Sequence, residues 1–153
     1  MATLNPSPLL FSRTFHVGWG DLDANAHMKN IAYLDKAVDV RMMYFQEQGF
    51  PMSEFERLRL GPVIMRDEID YYREFRLLDT ITITLSLAGL NSDASRFRLC
   101  NELYRADGQL AARLTSAGGW LDLTKRKLTI PPPQLVAALR NLARSEDFVE
   151  MSK

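Results

Sequence analysis

The sequence predicts an α+β fold in which a curved antiparallel sheet of about five strands wraps round one long, enclosed helix. Three observations lead there. One apolar stretch at helical spacing runs from Asn30 to Gln48; four strand-like segments follow it in succession; and turn residues separate those segments closely enough to make them a meander. The chain has 153 residues, enough to bury one substantial core. It reads as one domain over residues 1–153, with the core over about 9–125 and a C-terminal tail over 126–153.

Residues Leu9 to Val17 (L-L-F-S-R-T-F-H-V) form a first strand, which Gly18 and Gly20 break. D-L-D-A-N-A-H, residues 21–27, is a loop. In the helix, Ile31, Leu34, Val38, Met42 and Phe45 recur every three or four residues, and Gly49 follows as a stop. Ala32, Tyr33, Ala37, Val40, Met43 and Tyr44 spread apolar surface round the remaining circumference, which predicts a helix enclosed on most sides.

The next strand is Val63 to Arg73. From Thr80 to Leu90, Ile81, Ile83, Leu85 and Leu87 alternate with Thr80, Thr82, Thr84 and Ser86, the pattern of a strand with one buried face. Asn91-Ser92-Asp93 turns the chain into the strand Ser95 to Arg105, and Ala106-Asp107-Gly108 turns it again into Gln109 to Leu123. That last strand carries Ala111, Ala112, Ser116, Ala117, Gly118 and Gly119; small residues there predict close approach of another backbone, the long helix being the expected one. Three prolines at 131–133 end the regular part, with a short helix over Leu135 to Leu142. A strand, a long helix and a four-strand meander close on one core as a hotdog fold.

Composition narrows the function. Lys plus Arg and Asp plus Glu each number 19, so no global field attracts nucleic acid or an anionic membrane. The lone Cys100 excludes an intrachain disulfide and fits a reducing compartment. The start M-A-T-L-N-P-S-P-L-L-F lacks a basic, then apolar, secretory pattern, and no stretch is long enough to span a bilayer. The expectation is a soluble, cytoplasmic protein. Two histidines, His16 and His27, without a cysteine cluster predict no metal site.

The chemistry concentrates just before the long helix, in W-G-D-L-D-A-N-A-H-M-K-N-I-A-Y-L. Free N–H groups and the positive dipole end at a helix N-terminus suit a developing oxyanion, and a carboxylate one short loop away suits attack or activation of water. This segment resembles the active-site stretch of the 4-hydroxybenzoyl-CoA thioesterase family of acyl-CoA thioesterases, which typically carry a D-x-D-x-x-G-H-x-x-N-x-x-Y-type motif. The resemblance implies a hydrolase that cleaves an acyl-CoA to free acid and CoA, with Asp23 as nucleophile or general base and the Asn30 backbone N–H polarising the carbonyl. His27 then orders the loop or positions substrate; from the residues themselves, Asp21 is the rival carboxylate or only orients the loop, and Tyr33 lines the acyl pocket or belongs to the core. Ala26 stands where the family usually has Gly, Lys29 where many members have a second Asn, and A-V-D at 37–39 where many continue with a Glu-rich stretch.

Arg96 and Arg98 on the third segment of the meander, and Lys125-Arg126-Lys127 at its end, are the basic clusters able to meet CoA phosphates. CoA enters as part of the substrate, and no separate cofactor is expected. Two rivals remain: a non-catalytic acyl- or CoA-binding module on the same fold, and a 3-hydroxyacyl thioester dehydratase using His27 as base. An open five-strand sheet has two free edges, and the strand S-R-F-R-L-C-N-E-L-Y-R contains no proline and is free to pair. Together with the family's habit of pairing sheets side by side, this predicts a homodimer or homotetramer with the site between subunits.

Overall fold

The computed structural model describes residues 10–152; the expected strand start at Leu9 lies outside them. Strand β1 (Phe11–His16) leads through a 3₁₀ turn (Trp19–Asp21) and a tight loop into helix α1 (Asn30–Glu47), followed by the short helix α2 (Met52–Leu58). The meander is β2 (Leu60–Tyr71), β3 (Thr80–Asn91), β4 (Arg96–Tyr104) and β5 (Leu110–Asp122), and the chain ends with β6 (Lys127–Leu128), α3 (Pro133–Asn141) and β7 (Arg144–Met151). The main sheet order is β1-β3-β4-β5-β2, antiparallel throughout; β6 adds to β5, and β7 runs parallel to β3. This is the hotdog fold, with α1 held in the concave face of the sheet.

Alternation on β4 shows how the two faces divide. Phe97, Leu99, Asn101 and Leu103 are buried toward α1, and Arg96, Arg98, Glu102 and Tyr104 are only half-buried on the outer face. At the far end of α1, Phe45 and Phe55 pack on Trp120 with ring centroids 5.7 and 6.0 Å apart, and Phe97 packs at 5.1 Å. A fully buried aromatic of this kind contributes about 1.5–3 kcal/mol by transfer from water alone. This cluster anchors one end of the helix and leaves its N-terminal end to be placed by the loops.

Four expectations change. The strand read as free to pair, β4, is interior, flanked by β3 and β5. The free edges are β2, which pairs only β5, and the row of β1 and β7, which pair only β3, among the described residues. A Cβ on Gly118 would collide with the Val63 carbonyl oxygen of β2 at the bulge between Ile64 and Arg66, and one on Gly119 would lie 2.7 Å from Ser95 O. Neighbouring backbone, rather than the helix, therefore demands these glycines. The predicted tail is structural: Leu135, Ala138, Leu139 and Leu142 enter the core, and β7 extends the row begun by β1. Finally, α1 is open on one flank, where Ile31 is 62% exposed and Val38 39%, because no element among the described residues covers it.

Candidate active site

Asp23 begins a loop closed on itself. Its N–H donates to His27 O at 2.9 Å, and Ala26 N–H donates to Asp23 O at 3.1 Å. The Asp23 side chain turns back into the loop: Oδ1 accepts the N–H of Asn25 at 2.8 Å and that of His27 at 3.3 Å. This is the local bonding that makes aspartate a turn residue. It fixes the carboxylate's orientation and leaves Oδ2 without a partner among the described residues. Ala26 takes φ +62°, the left-handed conformation that costs a non-glycine residue about 1–2 kcal/mol. The glycine usual in the resembled family would relieve that cost.

Two further threads tie the loop down. Met28 N–H donates to Phe75 O at 2.8 Å, and His27 bridges Arg76 of the segment after β2. The His27 ring lies 3.1 Å through Nε2 from Glu74 Oε2. Lys29 N–H donates to Asp21 O at 2.7 Å, while Asp21 Oδ2 accepts Gly18 N–H at 2.8 Å and meets Lys36 Nζ at 2.9 Å. Burial pushes the Asp21 carboxyl up, but the Lys36 ammonium, the Gly18 N–H and the charge of Lys29 outweigh it and hold the group below its ordinary value. Asp21 is thus committed to holding the loop on α1, and Asp23 faces solvent.

The helix starts at Asn30, with Lys29 in extended conformation before it. Ala32 N–H bonds to Lys29 O, whereas the N–H groups of Asn30 and Ile31 find no acceptor among the described residues. Eighteen aligned residues place the positive end of their dipole there. Tyr33, one turn on, is buried and donates its OH to Arg73 O at 3.2 Å; it packs edge-on against Tyr71 at 5.0 Å. Burial, then Tyr71, Glu74 and Asp23, push the Tyr33 hydroxyl up, so it acts as a neutral donor. Tyr71 closes the set by donating to Asn30 O at 3.2 Å.

The structure therefore brings Asp23, His27, Asn30 and Tyr33 together. Arg96 and Arg98 stand on the outer face of the sheet, away from α1. Lys125 and Arg126 occupy the turn beyond β5, beside the Leu60 end of β2, where Arg59 Nε donates to Thr124 Oγ1 at 3.1 Å. Within one chain that turn is a strand's length, ~35 Å, from the Tyr71 end. The sequence reading missed Glu74, Tyr71 and Lys36. Each meets the loop or the helix start through the fold, and Lys36 alone, one face of α1 away from Asp21, lay within reach of helical spacing.

A concavity of about 510 Å³ lies elsewhere, on the outer face of the sheet under β7, lined by Arg113, which meets Glu102 (3.4 Å) and Asp147 (2.9 Å). Burial pushes the Cys100 thiol beside it up, away from the thiolate form. No group of three or more metal-ligating side chains occurs among the described residues, and no helix among them is long and apolar enough to cross a membrane.

Residues 17–139 match the family model of the thioesterase-like superfamily, and the chain belongs to that superfamily. No curated protein matches at the sequence level. Among solved structures, the chain is similar to the Staphylococcus aureus protein SAV2348 in complex with CoA, at 24% identity over 92% of this chain and 90% of that one, TM-score 0.79. It is likewise similar to Slr0204, a 1,4-dihydroxy-2-naphthoyl-CoA thioesterase from Synechocystis (17% identity, 85% and 95% covered, TM-score 0.77), and to the gentisyl-coenzyme A thioesterase BH1999 (20%, 84% and 98%, TM-score 0.74). At these identities the likeness is one of fold.

Proposed function

We propose that the chain hydrolyses acyl-CoA thioesters. The observation that carries this reading is the pairing of an oriented, solvent-facing carboxylate, Asp23, with two unpaired N–H groups at the start of α1. The thioester carbonyl sits on the Asn30 N–H, which stabilises the charge that develops on its oxygen. Asp23 either attacks the carbonyl carbon or takes a proton from the attacking water, and CoA leaves as thiol. Membership of the thioesterase-like superfamily supports the reaction class, and the CoA-bound neighbour supports the ligand class. His27 holds the loop through Glu74; Asp35 and Asp39, the helix carboxylates a histidine-based dehydratase would recruit, are both exposed.

In this reading a second copy completes the site. A two-fold axis across the free edge pairs β2 antiparallel with itself, so each Tyr71 end, beside Asn30, lies next to the copy's Leu60 end. That brings Lys125 and Arg126 of the copy toward the mouth, where phosphates of CoA would lie. Thiol release from a panel of acyl-CoA esters tests the activity. Asp23→Asn should lower kcat by about 10²–10⁴-fold with the fold intact. A folded variant that turns over like the wild type removes the proposed mechanism.

A further inference from the structure

Arg41 is the one charged side chain of the buried class among the described residues, at 4% exposure, and it sits on the inner face of α1. Its Nε donates to Asn101 Oδ1 at 2.9 Å and its Nη2 to Ser116 Oγ at 2.7 Å. Ser116 in turn donates to Asp67 Oδ1 on the edge strand β2, and Asn101 donates onward to Thr84 O at 2.9 Å. Burial pulls the guanidinium down to about 10, against the opposing pull of the Asp67 carboxylate. A cation placed this deep is costly, and a purely structural network would close all its donors. This one does not. Arg41 Nη1 and Asp67 Oδ2 have no partner among the described residues. Trp120 Nε1 is the one fully buried side-chain polar atom left unpaired there, so the free N–H groups of Arg41 reach solvent. Asp67 is exposed beside them on the edge strand β2.

Arg41 lies beside an apolar line on α1. Ile31, Leu34, Val38 and Met42 follow one another at helical spacing on α1, exposed or half-buried, from the N–H groups of Asn30 and Ile31 past Arg41. At the rise of an α-helix, Arg41 lies ~16 Å from Asn30 along the axis. This is beyond a compact aryl acyl group and within reach of a long alkyl chain. We propose that Arg41 and Asp67 form the polar end of the acyl cleft and select a long acyl chain carrying a hydroxyl near its distal end. The inference rests on the thioester-hydrolase reading above. A hydroxyl accepts from Nη1 and donates to Oδ2 at once. A distal carboxylate meets the charge of Asp67, an ammonium meets that of Arg41, and a ketone leaves Oδ2 bare.

The test uses two long-chain acyl-CoA esters of equal length, one with a hydroxyl at the methyl end. Wild type should show kcat/KM higher for the hydroxylated ester by about 10- to 100-fold, the worth of hydrogen bonds to charged partners. Asp67→Ala should bring the kcat/KM values of the two esters to within a fewfold of each other. Equal kcat/KM for both esters in wild type overturns the inference and leaves the hydrolase reading standing; so does a preference unchanged in Asp67→Ala. If neither ester is hydrolysed, the hydrolase reading fails, and calorimetric binding of the two non-hydrolysable thioethers to wild type and to Asp67→Ala decides the same question: discrimination lost only in the variant supports the polar end, and equal binding by wild type removes it.

Discussion

At Asp21 and Asp23, two carboxylates of one short loop have been given different work by their surroundings. Asp21 is spent on Gly18 N–H and Lys36, half-buried; Asp23 spends one oxygen on its own loop and keeps the other for solvent. The Asp21 contribution is electrostatic and has a sign. Its folded value lies below the ordinary 3.8, so the stability it supplies is present above that value and is lost as pH falls through the folded one. Asp21→Asn should cost about 1–2 kcal/mol of unfolding free energy at neutral pH. The gap between wild type and variant should close as the pH drops below 3.8 toward the folded value. Urea titrations at several pH values check this, and a gap that stays constant into acid would show that the ion pair contributes nothing. The pair of carboxylates and the histidine were legible in the sequence because they are neighbours along the chain. The partners that give each its role, Lys36 on α1 and Glu74 in the segment after β2, arrive through the fold and could be read only weakly or not at all.

Elements with strong periodicity were likewise legible, and those without it were not. The clean alternation of β3 and the helical spacing of α1 leave one reading each. By contrast, α2 has a single buried residue, Phe55, and β7 is buried in no alternating pattern, since four residues bulge out between the pairs Leu87–Arg144 and Gly89–Val149. Within the bulge Asp147 reaches over the outer face to Arg113, a contact no local pattern announces. The glycines of β5 were visible as an anomaly, but the element they serve was misassigned, because strand neighbours cannot be told from a crossing helix by composition. Gly118 now carries a definite expectation. A methyl group there meets the Val63 carbonyl at the β2 bulge, so Gly118→Ala should destabilise by about 1–3 kcal/mol through overpacking. A denaturant midpoint equal to wild type would mean that β2 is less tightly held on β5 than the structure has it.

For the whole molecule, the open question is what covers the β2 edge and the bare flank of α1. Ile64 and Met65 on β2, Tyr71 at its end, and Ile31 and Val38 on α1 are all exposed, and the unpaired backbone groups of an edge strand are open to pairing. Pro62 and the bulge between Ile64 and Arg66 restrict which edge fits, which favours one symmetric partner over open-ended addition. We expect light scattering at micromolar concentration to give at least twice the 17.5 kDa of one chain; a mass near 17.5 kDa would overturn this. The shared site is tested separately. Chains carrying Asp23→Asn lack the carboxylate, and chains carrying Lys125→Ala with Arg126→Ala lack the phosphate contacts of the neighbouring copy. If the two contributions come from different subunits, co-refolded mixtures contain heterodimers with one intact site and one doubly impaired site. At substrate concentrations where both parents are nearly silent, an equal mixture should then recover about a quarter of wild-type activity, since half the dimers are mixed and each holds one good site. If each site lay within one chain, mixing would leave every site impaired, and the mixture would do no better than the average of its parents.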